Sequence, residues 1–227
     1  MPATPIVTID GPSGSGKGTI SRLLAFRAGW HLLDSGALYR LVALAGLEAG
    51  LSAQDVAGHA RIAGSMDVQF GVGPDGGELV TLSGKNVTDA IRSEVAGQGA
   101  SRVAAWPAVR TALLDRQRAF AQPPGLVADG RDMGTIVFPA AHLKIFLTAS
   151  AEERALRRYK QLKDKGSDVS LAALSREITE RDHRDSTRAV APLKPAPDAE
   201  VIDSTGRSIE QVVEKVWSSG RARALWP

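Results

Sequence analysis

Between residues 6 and 19 the chain runs Ile6-Val7-Thr8-Ile9-Asp10-Gly11-Pro12-Ser13-Gly14-Ser15-Gly16-Lys17-Gly18-Thr19, a short apolar run that breaks into glycine and then into a helical pattern. Strand, tight loop and helix follow from that order. Gly11, Gly14 and Gly16 reach backbone angles that a side chain forbids, so successive amide N–H groups can turn inward and line an anion cradle. The next helix is expected to carry Ile20, Leu23 and Leu24 on one face, with its positive end aimed at the same anion. Lys17 adds a mobile full charge. A nucleotide polyphosphate suits this cradle, with Gly11, Pro12, Ser13, Gly14, Ser15, Gly16, Lys17, Gly18 and Thr19 as candidate contacts.

The general phosphate-loop pattern places a hydroxyl directly after the lysine, whereas here Gly18 intervenes and Thr19 carries it. That form is similar to small nucleoside monophosphate kinases, and it leaves open how Thr19 would serve magnesium.

With 227 residues and 43% hydrophobic content, the chain is long enough for one sizeable core and a smaller insert. No run approaches the ~18 apolar residues of a membrane span, the cleanest stretch being 41–47, and residues 1–8 lack the basic start of a signal peptide. A cytoplasmic protein with no membrane partner is expected. Zero cysteines exclude disulfides, thiol catalysis and cysteine metal sites, and the four histidines are scattered without ligand spacing. Any metal should arrive with the nucleotide. A net charge of +3 and 5% aromatic residues argue against nucleic acid as a partner. The arginines collect in particular segments instead, which points to a small, highly charged ligand. A monomer is expected.

After the first helix stops near Gly29, residues 30–33 offer a strand, and Asp34-Ser35-Gly36 opens a helical pattern over 37–49 with Ser35 at its cap. Residues just past parallel strands share the ligand crevice, so Asp34 and Ser35 are expected near the phosphate loop. Arg40 either reaches a substrate phosphate or is a solvated charge. Over 66–91, short alternating runs and glycines at 71, 73, 76, 77 and 84 read as a small β-rich insert. A helix over 88–105 follows, Trp106-Pro107 breaks it, and a further helix turns Val109, Leu113 and Phe120 inward. Ser101 and Arg110 ride on these helices, and spacing alone gives them no role.

Leu126-Val127-Ala128 resumes a buried strand that runs into Asp129-Gly130-Arg131-Asp132. An acid ending a core strand beside a phosphate loop is well placed to hold magnesium's water shell, a task for a hard oxygen. After the strand 143–147, Ser150 and Glu153 form a capping box for a helix with Leu156, Tyr159 and Leu162 on its apolar side and Arg154, Arg157 and Arg158 on its basic side. A polar turn spans 163–168, and Ser170 starts a helix with Leu171, Leu174 and Ile178 inward. That helix runs into Arg181-Asp182-His183-Arg184-Asp185-Ser186-Thr187-Arg188, which places Arg181, Asp185 and Arg188 on one face. Such a run is either a solvated charged face or part of a phosphate-gripping lid. A fifth strand over 199–203, a helix capped by Ser208 and Gln211 with Ile209, Val212, Val213 and Val216 inward, and a frayed tail from 218 complete the chain.

Four stretches together resemble the signatures of the bacterial cytidylate kinase family in order and spacing: residues 9–19, Leu33-Asp34-Ser35-Gly36-Ala37-Leu38-Tyr39-Arg40, Ala128-Asp129-Gly130-Arg131-Asp132-Met133-Gly134-Thr135, and Arg181-Asp182-His183-Arg184-Asp185. The third is the most specific, and the resemblance covers essentially the whole chain. Ala140-Ala141 departs from the family pattern away from the proposed site, and Gly97 and Gly99 are unusual near Ser101. The resemblance implies an α/β, P-loop NTPase-type three-layer fold with a five-stranded parallel sheet, a small β-containing nucleoside-monophosphate-binding insert and a helical lid. The core would be 1–34, 126–154 and 190–227, the monophosphate-binding region 35–125 with its β-rich part at about 66–91, and the lid 155–189.

The activity implied is transfer of the γ-phosphoryl of ATP to CMP or dCMP, giving CDP or dCDP and ADP, with magnesium. Lys17, Asp129, Arg131 and Arg158 would serve catalysis. Ser35, Ser101, Arg110 and Asp132 resemble the cytosine and nearby contacts, Arg40, Arg131, Arg181 and Arg188 the phosphate and sugar ligands, and Asp185 the ribose-side carboxylate. Arg154 resembles the lid arginine that covers adenine. No side chain is expected on the metal directly, with Thr19 and Asp129 reaching it through water. Alternatives are a P-loop kinase for adenylate, uridylate or shikimate, or a nucleotide-hydrolysing switch, against which stands the lack of a guanine-reading N-K-x-D motif.

Overall fold

A computed structural model describes residues 4–72, 78–164, 166 and 168–226. Gly73, Gly76 and Gly77 of the expected hairpin, and Lys165 and Ser167 of the expected polar turn, lie outside the described residues. The chain divides into two compact units, Met1–Asp34 with Arg118–Pro227, and Ser35–Gln117.

The first unit is a five-stranded sheet in the order β2-β6-β1-β7-β8, with every pairing parallel. Its strands are β1 (Ile6–Asp10), β2 (His31–Asp34), β6 (Leu126–Gly130), β7 (Leu143–Thr148) and β8 (Glu200–Asp203). The central strands are apolar along most of their length because helices cover both faces of a parallel sheet. Val7, Ile9, Val127, Ile145 and Leu147 form the core with Leu24, Val212 and Val216 from the helices α1 (Lys17–Ala28) and α9 (Ile209–Arg221). The register sets Ile9 beside Asp129 and Asp34 beside Asp129, so the sheet itself brings Asp10, Asp34 and Asp129 to one edge. This is the edge where parallel α/β sheets bind ligands.

Several helices bury a different strip from the one their apolar residues suggest. In α1, Ile20 and Leu24 are buried with Ser21 and Ala25, while Leu23 is 41% exposed. In α7 (Ala151–Asp164) the buried residues are Arg154 and Ala155, and Leu156 faces outward. In α8 (Leu171–Thr187) Leu174 and Ile178 are buried but Leu171 is exposed. Ser150 accepts a hydrogen bond from Glu153 N–H at 3.2 Å, yet the Glu153 carboxylate pairs with Arg157, so only half of the expected capping box forms. The box at Ser208 and Gln211 is complete. The tail is not frayed: Trp226 is buried, stacks on Trp217 at 4.6 Å and donates its indole N–H to the Trp217 carbonyl.

The second unit holds the antiparallel sheet β3 (Val68–Val72), β4 (Glu78–Leu82) and β5 (Lys85–Asn86), with helices α2 (Ser35–Glu48), α3 (Val56–Ser65), α4 (Thr88–Arg92) and α5 (Glu94–Val103). Most of α6 (Pro107–Arg118) also lies in it. The single helix expected over 88–105 is two, because Ser93 turns extended (φ −68°, ψ 159°), ends α4 and caps α5 by accepting from Ala96 N–H. The helix α3 was not foreseen; Asp55 caps it by accepting from Gly58 N–H at 2.8 Å. Gly99 has a packing reason: a Cβ there would lie 2.8 Å from the Ala43 Cβ, so the glycine lets α5 approach α2. Among the described residues, no helix is long and apolar enough to cross a membrane.

Candidate functional site

The phosphate loop bridges β1 and α1. Gly16 sits in the left-handed region (φ 93°) at the helix cap, and its carbonyl accepts from the N–H groups of Thr19 and Ile20. Gly11 is fixed by space: a Cβ there would lie 2.0 Å from the Leu147 carbonyl oxygen of β7. Lys17 folds back so that Nζ donates to the Pro12 carbonyl at 3.3 Å and lies 4.0 Å from Asp129 Oδ1. Burial pushes the Lys17 ammonium down to about 8, Arg131 and Arg181 add to that, and Asp129 and Asp34 oppose it. The Asp129 carboxylate overhangs the first turn of α1, 3.2 Å from where a Cβ on Gly18 would be. Ser15 Oγ is buried with no hydrogen-bond partner among the described residues.

The second half of the site forms around Asp185, near the end of α8. Arg131 Nε donates to Asp185 Oδ2 at 2.9 Å. Burial alone would raise the Asp185 carboxyl, but the guanidinium groups of Arg131, Arg181 and Arg188 together hold it below the usual carboxylate range. Arg181 and Asp185 share a face of α8 by helical spacing, Arg188 joins them from the cap residue where the backbone has left the helix (ψ 135°), and Arg131 meets them from another segment. Asp132, the next residue, is buried.

The α7 arginines divide differently from expectation. Arg154, expected over an adenine, is 4% exposed, and its guanidinium is taken up by the carbonyls of Ala149 and Ser13 and by the Asp182 carboxylate. It braces the phosphate loop from beneath. Arg157, which the sequence did not single out, donates to the Ser204 carbonyl at 2.7 Å, to Ser204 Oγ at 3.1 Å and to the Ser15 carbonyl at 3.4 Å. Ser204 Oγ also donates to the Ser15 carbonyl. The place of Arg157 on the basic side with Arg154 and Arg158 was the available signal, but spacing gave it no role of its own. Arg158 is half-buried and donates to Gln161 Oε1 at 2.9 Å. A cleft of about 490 Å³ opens beside the loop, lined by Gly16, Thr19, Arg157, Arg158, Arg207 and Ile209 among others.

Four candidate residues belong to the second unit. Ser35 is not a cap: it is the first residue of α2, buried, and its hydroxyl donates to Gln117 Oε1 at 2.9 Å. Arg40 donates to the carbonyls of Ile91 at 2.7 Å and Ser93 at 3.4 Å. Arg110 donates to the Ala104 carbonyl and lies over the Tyr39 ring, 5.8 Å from its centroid. Ser101 Oγ is buried with no hydrogen-bond partner among the described residues.

Among the described residues there is no group of three or more histidine, aspartate or glutamate side chains that could hold a metal ion. The oxygen donors beside the loop, Asp129 and Thr19, fit a hard cation whose remaining ligands are phosphate oxygens and water.

A family model described as cytidylate kinase matches residues 7–221. The chain is 60% identical over 222 residues to a cytidylate kinase of Stutzerimonas stutzeri (strain A1501), covering 97% of each chain. It is 63% identical over 216 residues to one of Pseudomonas aeruginosa (strain LESB58), covering 94% of each. To one of Azotobacter vinelandii (strain DJ / ATCC BAA-1303) it is 60% identical over 221 residues, covering 97% of this chain and 96% of the other. Together with a lysine-bearing phosphate loop and a separate arginine cluster around Asp185, this similarity along nearly the full length means that the chain belongs to the cytidylate kinase family.

Proposed function

We propose that this chain transfers the γ-phosphoryl group of ATP to CMP or dCMP, forming ADP and CDP or dCDP. One observation carries the reading: Arg131 is electrostatically linked both to Lys17 in the phosphate loop and to the Asp185 cluster with Arg181 and Arg188. One set of cations can therefore face two phosphate groups meeting end to end. Membership of the family supports cytidylate as the acceptor.

Phosphoryl transfer asks a protein for alignment and for cancellation of charge on the moving group, with little covalent work. The loop amides and Lys17 hold the donor's β- and γ-phosphates. Arg131 and Arg158 meet the transferred group, and Arg181 and Arg188 meet the acceptor phosphate. The cleft beside the loop takes the donor base, against Arg157 and Ile209. Arg154 supports the loop rather than covering that base. Magnesium, when bound with ATP, screens the phosphate charge, and Asp129 and Thr19 hold its water shell. Asp132, Ser35, Ser101 and Arg110 read cytosine, Arg40 assists at the phosphate, and Asp185 meets the ribose.

Cytosine offers an amine donor beside ring acceptors, which an acid and an arginine match, while uracil reverses part of that pattern. Residues 35–125 serve the acceptor, and 155–189 act as a lid that keeps water from replacing it. The protein works as a cytoplasmic monomer.

A coupled assay of ADP release, supplied in turn with CMP, dCMP, UMP and AMP, tests the reading. Release with CMP or dCMP that exceeds release with UMP and AMP is expected. Preference for AMP or UMP, or steady phosphate release with no acceptor, would overturn it.

A further inference from the structure

The geometry points to Asp10 as a positioning residue that holds the Arg131–Asp132 turn in place for the acceptor nucleotide. The inference rests on the reading that Arg131 and Asp132 meet that nucleotide. Asp10 ends β1 directly before Gly11, and is 5% exposed. Its two carboxylate oxygens each accept one backbone N–H from the far segment: Oδ1 from Met133 and Oδ2 from Gly134, both at 2.8 Å. These are the first residues of the π-helical turn Met133–Val137 that follows the Arg131–Asp132 pair.

The turn is held from both ends. In the sheet register Asp10 lies beside Gly130, the last residue of β6, so the same aspartate flanks Arg131 and Asp132 on one side by strand pairing and on the other by its side chain. Gly134 adds a steric stop, since a Cβ there would lie 2.9 Å from Thr8 Oγ1 and 3.2 Å from Lys144 Cδ. Arg131 and Asp132 therefore have little freedom to drift relative to the phosphate loop, and a displacement of about 1 Å at a reacting centre is costly.

A purely structural role is the competing explanation for a buried carboxylate that accepts two amides. It differs in what it predicts for the two substrates. The phosphate loop has holds that do not run through the Asp10 carboxylate: Gly11 packs against β7, and Arg154 and Arg157 donate to the Ser13 and Ser15 carbonyls. The Arg131–Asp132 turn has the Asp10 carboxylate at its carboxyl end. Loss of that carboxylate should therefore be felt on the acceptor side.

The test is Asp10→Asn, made in the full chain, with kcat and both KM values measured. The amide keeps one acceptor oxygen and turns an NH2 toward the other N–H. The expected result is a rise of about ten-fold in KM for CMP and a fall of about ten-fold in kcat, with KM for ATP within about two-fold of wild type. Equal rises in both KM values, or none, would overturn the inference. If Asp10→Asn does not fold, Gly134→Ala decides, because it pushes the same turn away while leaving the carboxylate. A CMP-selective loss recovered by adding Thr8→Ala supports the inference, and a loss shared by both substrates or not recovered overturns it. A wild-type chain that shows no CMP-dependent ADP release would instead sink the underlying reading.

Discussion

Arg154 Nη1 lies 3.0 Å from Asp182 Oδ1, and a second guanidinium nitrogen meets Oδ2, so one bidentate pair ties α7 to α8 while the same arginine holds the Ser13 carbonyl of the phosphate loop. The guanidinium is almost fully buried, whereas the carboxylate is 28% exposed. Truncating Asp182 strands a buried charge, which costs far more than an exposed pair is worth. Asp182→Ala should lower stability by about 2–3 kcal/mol, read from denaturant midpoints. KM for ATP should rise with it because Ser13 loses a steady support. Unchanged ATP affinity would mean that the brace does not reach the loop.

The carboxyl end makes a prediction about stability alone. Trp226 stacks on Trp217 at 4.6 Å with 14° between the rings, meets Trp30 edge-on at 5.3 Å, and packs where Gly220 leaves room, a Cβ there coming within 2.1 Å of the indole. Trp226→Ala should cost about 3–4 kcal/mol through the cavity and the lost indole hydrogen bond. Thermal unfolding measures it. Both KM values should stay at wild-type levels at a temperature where the variant is folded.

The parts of the molecule readable from the chain are those dictated by local geometry. Gly16 must adopt a positive φ, so the phosphate loop announced itself, and the i, i+4 spacing of Arg181 and Asp185 fixed a shared face of α8, whereas Arg188 reaches Asp185 from the non-helical residue that ends the helix. The failures are places where a distant partner decides. Leu23 looks like core but Ser21 is buried in its place, and Arg154 takes the inward position that Leu156 seemed to claim. For Arg154 the choice depends on which neighbour offers a carbonyl or an ion pair, and those partners lie 141 and 28 positions away. Asp10 belonged to the motif from the start, yet its two partners lie 123 and 124 positions further on. The tail appeared polar and loose because its anchors are partners the local sequence does not show: Trp226 packs on Trp217 and Trp30, and Arg223 and Ser219 meet Glu200.

Asp185 gives a pH-dependent prediction. Burial opposes its ionisation, but Arg131, Arg181 and Arg188 outweigh that and hold its carboxyl below its ordinary value of 3.8. A depressed folded-state value means that the stabilisation is present above 3.8 and lost as pH falls below it through the folded value. Asp185→Asn should therefore be less stable than wild type by about 2 kcal/mol at pH 7, and the gap should close as the pH falls from about 4 toward 2. Thermal melts of both proteins across that range provide the check. A gap that stays constant to pH 2 would show that the arginines do not favour the charged form.

Lys17 titrates in the opposite direction and couples to the nucleotide. Burial, then Arg131 and Arg181, pushes its ammonium down from 10.5 to about 8. The folded chain therefore carries fewer protons than the unfolded one between about 8 and 10.5, and the destabilisation from charged Lys17 is relieved as pH rises through that window. A bound polyphosphate restores the charge, so ATP binding at pH 8.5 should take up a proton, to a maximum of one per site from this group. Calorimetric titration in two buffers of different ionisation enthalpy measures that uptake. The same linkage makes ATP affinity decline above pH 8, and Lys17→Ala should abolish both the uptake and that part of the decline. It should lower kcat by about 100-fold or more, in line with losing a preorganised charge at the transition state, while the unfolding midpoint at neutral pH should not fall below wild type, because the buried charge is gone. Proton uptake that persists in Lys17→Ala would assign it to another group at the site.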